Sequence, residues 1–559
     1  MSNKLKNRSG KKKESLSTAF MEFFNYLLNG MISIYMLLII AVMPFYNQEG
    51  FSHIGSDKAS FFRNVSVNGA RVILPTLAIF LVLKGIETYK EERLSSKKIW
   101  TALRESLSVT DVFALVYGLS VILSYLFTDY REQGTWGADG WYMGFWPKMI
   151  LLGAYFLISK CWTGNKWIVA MFLPASAAVF LLGYLNRFGI FPIDMKVDNI
   201  YFLSTVGNIN WYCGYLVSVF FGGCYLLLKS DMGQSKRRVF YQIILILYVA
   251  IGFSTLVTQS SHSGILALVA ALVVMFFLAA EDGKCMQMFW MEVLIFFGVC
   301  MIVYWHRNIL GGVITINNEI IDLLTNTMVP VFATVVSIVI LMWLNYCNAK
   351  DKYPMRFFRV VKWLVVGGVI VGGGAVIGLI VLNTIIPGSI GALSQHPFFT
   401  YSLDWGSDRG ATWSAGWMCF IEQNILHKLI GVGPDCMSAF IYQNGSMELV
   451  EMVKSTFGTS TLTNAHCEWL TILVDEGILG LIGFVGMMIS AMVRFLCRGN
   501  WRSVIAGACG MCLLAYTVNN FVSFQQSMNM ATIFVILGTG EMYSSKIKKR
   551  YSIPIGEMI

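Results

Sequence analysis

The stretch WLVVGGVIVGGGAVIGL, residues 363–379, decides the class of fold. It carries no charge and no proline, and the apolar run around it reaches from about 360 to 383. About 20 apolar residues in a helix cross the hydrocarbon core of a bilayer, so this run is long enough to span one. Working outward, similar runs precede it near 25–46, 70–87, 109–127, 147–162, 167–185, 210–229, 240–258, 263–280, 286–304 and 326–346. Three more follow, near 478–495, 502–521 and 529–543; the fourth and the last of the series are short. Composition agrees: 56% of residues are hydrophobic, 13% are charged and the mean hydropathy is +0.61. Soluble domains carry about 25% charged residues. The sequence therefore predicts an all-α integral membrane protein, a polytopic bundle of about 14 transmembrane helices (12–14) with one large external loop.

Charge placement gives the orientation. Lys4, Lys6, Arg8, Lys11, Lys12 and Lys13 put the first tail inside, and alternation then places Lys236, Arg237, Arg238, Arg356, Arg359, Arg494 and Lys546 inside as well. The layout is a basic cytoplasmic tail at 1–24, eleven helices over 25–383, an external segment at 384–477, three helices over 478–543 and a cytoplasmic tail at 544–559. A net charge of +10 made of short runs between spans is topology information, and nucleic acid is not an expected partner. The twelve cysteines show no metal or disulfide spacing and read as small hydrophobes. The spans read as almost free of ionisable groups, with Lys84, Asp111 and Glu541 near inner ends. That argues against a proton- or ion-coupled transporter, which keeps such groups at mid-depth. Gly368/Gly372 and Gly374/Gly378 have the spacing that lets helices pack closely.

The external segment holds the polar chemistry. SDRGATWSAGWMCFIEQNILHKLIGVGPD (407–435) predicts a helix capped by Asp408, with Arg409 at its start. Trp413, Trp417, Phe420 and Ile421 form an apolar stripe suited to the membrane surface. Gly431 and Gly433 end it. In NAHCEWLTILVDEGILGLIGF (464–484), His466 leads into the twelfth apolar run. Elsewhere TWGADGWYMGF (135–145), STVGNINWYCGYL (204–216) and TQSSHSGILAL (258–268) lie at the external ends of spans.

Taken in order over about 110–540, these segments resemble the O-antigen ligase and polymerase family, bacterial membrane glycosyltransferases of the GT-C type. The Arg before an aromatic helix, the Gly-Val-Gly-Pro turn and the Ala-His leading to Glu-Gly-x-x-Gly-Leu carry most of the likeness. Cys467 stands where the family often has Asn, and His262 where it usually has Arg.

The resemblance implies transfer of a glycan from an undecaprenyl-diphosphate-linked donor to a hydroxyl of a glycan, lipid or protein acceptor. The reaction would occur at the outer face of a bacterial cytoplasmic membrane, without metal or cofactor and with inversion. A diphosphate is already a stable leaving group, so the site needs cations to hold it and a base for the hydroxyl. By position, His466 is the expected base and Arg409 the diphosphate ligand, because its fork binds phosphate oxygens in pairs. Arg131, Arg187, Asn208, Asn210 and His262 are further donor-binding candidates. Solvated loop charges, helix caps and turn residues are the ordinary alternatives for them. Trp136, Trp141 and Trp146 suit either sugar stacking or an interfacial belt. Polymerase and ligase share these motifs, and a flippase of lipid-linked glycans is the alternative from another class.

Overall fold

The computed structural model of the chain describes residues 16–91, 106–196, 199–230, 235–259, 261–310, 319–496 and 504–546. The outermost basic tails and the inner segment at 92–105 lie outside the described residues. Each of the apolar runs is largely helical over its described residues. In lipid the backbone has no water to bond to, and the helix satisfies each N–H and C=O within its own segment.

In chain order the helices begin with α1 (Leu16–Leu37), α2 (Ile54–Glu91), α3 (Val109–Leu126), α4 (Arg131–Trp136), α5 (Phe145–Cys161), α6 (Lys166–Arg187) and α7 (Ile209–Leu228). There follow α8 (Lys236–Thr258), α9 (His262–Ala279), α10 (Gly283–Leu310), α11 (Glu319–Thr325), α12 (Met328–Ala349) and α13 (Met355–Ile385). The segment 384–477 supplies α14 (Trp405–Glu422), α15 (Ile425–Ile430), α16 (Met437–Asn444), α17 (Met447–Phe457) and α18 (Glu468–Asp475). The last three are α19 (Gly477–Leu496), α20 (Val504–Asn519) and α21 (Ser527–Lys546). A two-residue antiparallel pair, Phe202–Leu203 with Gly207–Asn208, precedes α7.

Among the described residues, eleven helices are long and apolar enough to cross a membrane. The protein is a polytopic helical membrane protein. Helices α5 and α20 are shorter, at 17 and 16 residues, and α21 is more polar. α7 is buried along almost its whole length and packs against α20, α8 and α9, which makes it the axis of the bundle.

Three expectations change. First, α2 runs for 38 residues, far beyond the apolar run at 70–87. At 1.5 Å per residue it is about 57 Å long, nearly twice the ~30 Å hydrocarbon core. Its polar first half is held by Lys58, which donates to the carbonyls of Met43, Pro44 and Tyr46 at 2.9, 2.8 and 2.6 Å. Second, the glycines of α13 pack against nothing: a Cβ at Gly368, Gly372, Gly374 or Gly378 would meet no atom within 4 Å. α13 lies at the bundle edge, and its glycine-rich stretch faces outward. Third, the interior is not free of ionisable groups. Glu292 of α10 is fully buried, and neither carboxylate oxygen has a hydrogen-bond partner among the described residues. Lys148 of α5 and Glu476, just before α19, form a fully buried ion pair. Position along a sequence does not reveal such pairing.

The segment 384–477 has its own core. Ala415 and Cys419 of α14, Val432, Cys436, Phe440, Leu449 and Val453 pack together with Ala465 and Val474. The stretch between Gly433 and His466 is therefore helical and folded onto α14.

Candidate functional site

Arg409 owes its position to a reversal. Gly406, Ser407 and Asp408 stand in the left-handed region, at φ 64°, 59° and 63°, so the regular part of α14 begins at Arg409. Non-glycine residues occupy that region at a cost. The guanidinium donates through Nε to the carbonyl of Val522 at 3.0 Å and through Nη1 to that of Gly406 at 2.6 Å. Nη2 makes no hydrogen bond among the described residues. The buried face of α14 is made of small residues, Gly410, Ala411, Ala415 and Gly416 among them, while Trp417 and Ile421 are exposed. The expected stripe is thus split: Trp417 and Ile421 face outward, while Trp413 packs beside Trp405 at 5.5 Å and Phe420 against the core of this segment.

His466 is held in a strained turn. Its φ is 47°, and its N–H donates to Asn464 Oδ1 at 3.0 Å. Close packing behind it depends on Gly416, where a Cβ would lie 2.9 Å from Ala465 Cβ. The ring stands 5.1 Å from that of Phe524, which lies 4.4 Å from Trp141; Trp141 is in turn 5.4 Å from Trp211. Burial, and then the Arg409 guanidinium, push the His466 imidazole down to about 4. It is neutral at neutral pH, able to accept a proton, and weaker as a base than a free histidine.

His262, first residue of α9, is exposed and also within electrostatic reach of Arg409. The fold thus gathers Arg409, His466 and His262 from three distant segments. Asn210 is connected to the same region by a buried polar path. Ser261 Oγ donates to Asn210 Oδ1 at 3.3 Å and shares a 2.7 Å bond with Ser263 Oγ; Cys213 Sγ lies 3.6 Å from Ser263 Oγ and 3.6 Å from Asn519 Oδ1. Asn519 donates to Asn520 at 2.7 Å, and Asn520 to Glu468 at 2.5 Å. Glu468 also accepts from Tyr516 at 2.8 Å, and burial pushes its carboxyl up to about 7.

The remaining candidates stand apart. Asn208 caps α7 by accepting the N–H of Asn210 at 2.9 Å. Arg187 is buried, and its Nη1 and Nη2 donate to the carbonyls of Ile200 and Gln259 at 3.2 and 2.7 Å. It props the turn that carries His262. Arg131 is exposed at the start of α4 and donates to the carbonyl of Leu126 at 3.3 Å. Trp136 lies under the Arg63 guanidinium at 4.1 Å, and Trp146 is exposed beside Phe145.

The Gly-Val-Gly-Pro turn is the brace of the site. Val432 and Gly433 donate to the carbonyls of Val474 and Asp475, both at 3.1 Å. At Gly431 (φ 85°) a Cβ would fall 2.0 Å from the Asp475 carbonyl oxygen, so only glycine lets the turn approach the end of α18. Asp435 accepts the N–H groups of Ala138 and Met143 at 2.8 and 3.0 Å, which ties the tryptophan loop to the turn. Burial raises its carboxyl to about 6.

The chain matches no protein-family model and no curated protein. What the arrangement offers chemically is a cation with an unused donor edge, a neutral half-buried imidazole and an aromatic wall. The segment from Asn519 to Asn529 (NNFVSFQQSMN) contributes the Val522 carbonyl and Phe524, and sequence reading missed it. A polar stretch between two apolar runs was the signal available there.

Proposed function

We propose that the chain is a membrane glycosyltransferase, transferring or polymerising glycan from a polyprenyl-diphosphate-linked donor onto an acceptor hydroxyl at the outer face. The reading rests on one observation: Arg409, with its Nη2 unengaged among the described residues, lies within electrostatic reach of the half-buried neutral His466, beside the Phe524–Trp141–Trp211 wall. The donor diphosphate takes the free guanidinium edge, where charge-assisted bonds hold phosphate strongly. The acceptor O–H gives its proton to the His466 ring, and its oxygen attacks the anomeric carbon. The bond from that carbon to the diphosphate breaks, the electron pair leaves with the diphosphate, and the anomeric centre inverts. A bound dianion offsets the repulsion from Arg409, so the imidazole becomes a better base when the donor is in place. Flat aromatic faces such as Trp141 suit the apolar side of a sugar ring. A fourteen-span topology, with both tails inside, accompanies this reading.

Glu292 favours a second reading, a carrier of the same lipid-linked glycans. A buried carboxyl without a partner among the described residues, about 14 Å along α10, is what proton-coupled movement uses. Purified protein in proteoliposomes, given lipid-linked oligosaccharide and acceptor, separates the two. A new glycosidic bond supports transfer; donor movement between leaflets without bond formation supports the carrier.

A further inference from the structure

On one side of α2 an open groove of about 470 Å³ runs between it and α5. Its lining includes small residues, Ala70 on α2 and Gly153 and Ala154 on α5, together with Leu77, Trp146 and Leu157. From Trp146 to Cys161 the α5 side extends about 22 Å, most of the ~30 Å hydrocarbon thickness. The lining is almost wholly apolar, so water has little to bond to there and a hydrocarbon chain has much to cover.

Lys160 lines the far end of the groove and is paired with Asp111, and a second cation, Arg63, stands just beyond the lining at the Trp146 end. Ser66, Ala70, Ile73 and Leu77 recur at helical spacing along the α2 wall, and the same face continues one turn up to Arg63. Arg63 lies over Trp136 and forms no ion pair among the described residues. Trp136 belongs to the loop that sends Trp141 against Phe524 and Trp211, the wall of the candidate site. At its start α2 touches the same wall: a Cβ at Gly55 would lie 2.9 Å from Trp211 and 2.9 Å from the Gly140 carbonyl. An apolar trough nearly as deep as the bilayer core, with a cation at its mouth and a shared loop to the site, is complementary to an anionic isoprenoid lipid. A neutral lipid makes no use of Arg63.

We propose that the α2/α5 groove holds the polyprenyl chain of the diphosphate-linked donor, with Arg63 drawing its anionic head to the mouth. The assignment rests on the transferase reading for the identity of the head, and its test separates the two.

Gly153 gives the test. A Cβ there meets no atom of the described residues within 4 Å, so Gly153→Phe starts into open space and places a ring in the groove; an unchanged melting curve checks that the fold tolerates it. The protein in nanodiscs is photolabelled with a benzophenone-bearing polyprenyl diphosphate. Expected are labelled peptides within 66–77 or 146–161 and competition by unlabelled polyprenyl diphosphate but not by phosphatidylglycerol. Gly153→Phe and Arg63→Ala should each lower labelling, the former at least about tenfold, as for a few lost buried CH₂ groups. Equal competition by phosphatidylglycerol, which makes the groove an ordinary boundary-lipid site, overturns the proposal. So does label elsewhere, or label insensitive to Gly153→Phe. A parallel transfer assay compares long-chain donors with donors too short to fill the groove. Groove labelling without any glycosidic bond refutes transfer and leaves the lipid site standing. Transfer whose chain-length preference is unmoved by Gly153→Phe refutes the groove and leaves transfer standing.

Discussion

Replacing Arg409 with alanine is expected to move the titration of His466. In the intact protein the imidazole is held at about 4, with burial the larger cause and the guanidinium the smaller. Against an ordinary value of about 6.5 the displacement is about 2.5 units, or about 3 kcal/mol at 1.36 kcal/mol per unit. Because Arg409 is the lesser cause, Arg409→Ala recovers less than half of it, roughly one unit upward. An isoprenyl diphosphate added to the wild type shifts the ring in the same direction, because it neutralises the same charge. The depressed value also fixes the sign of a stability effect. The unfolded chain binds the proton first, so His466 contributes stability above about pH 6.5 that is lost as pH falls toward about 4. The assay is a histidine-labelled NMR titration in detergent, with His466→Gln assigning the resonance among the six histidines. Titration of His466 near 6.5 in the wild type, or no movement in Arg409→Ala, refutes the proximity of the two groups.

Other perturbations follow from the same geometry. Asp435→Ala leaves the Ala138 and Met143 N–H groups without their acceptor, which costs about 2–5 kcal/mol in total; an unchanged melting curve contradicts the brace. Gly372→Leu is expected to be neutral or slightly stabilising, since the site is open and leucine is the better helix former by ~0.5–1 kcal/mol; marked destabilisation means that α13 packs on a partner. For topology, Ser460→Cys should be labelled from outside intact cells and Ser235→Cys should not; the reverse pattern overturns the orientation drawn from Lys and Arg.

Much of the bundle was legible because the bilayer imposes one rule, a long apolar run, and α1, α10 and α13 obey it. The extension of α2 was not legible: its first half is polar and continues as helix only because Lys58 and the carbonyls after α1 secure it. Glycine spacing in α13 suggested packing, but spacing gives a helix face and not its neighbour. Lys148 and Glu476 were hidden because they are 328 positions apart and meet only in the folded bundle. At the site, Arg409, His466 and His262 stood out through motif likeness, and the structure gathers them. Arg187 stood out equally and is spent on backbone carbonyls, a distinction visible only in the geometry. Phe524 carried no motif and became visible through its ring contacts with His466 and Trp141.

The most direct test of the central claim is turnover by His466→Ala in proteoliposomes, measured as glycosidic bonds formed from a polyprenyl-diphosphate-linked glycan, with donor binding measured alongside. Loss of a general base predicts a fall of at least about a hundredfold with donor binding retained. Normal turnover by the variant, or a wild-type protein that forms no bond, contradicts the account.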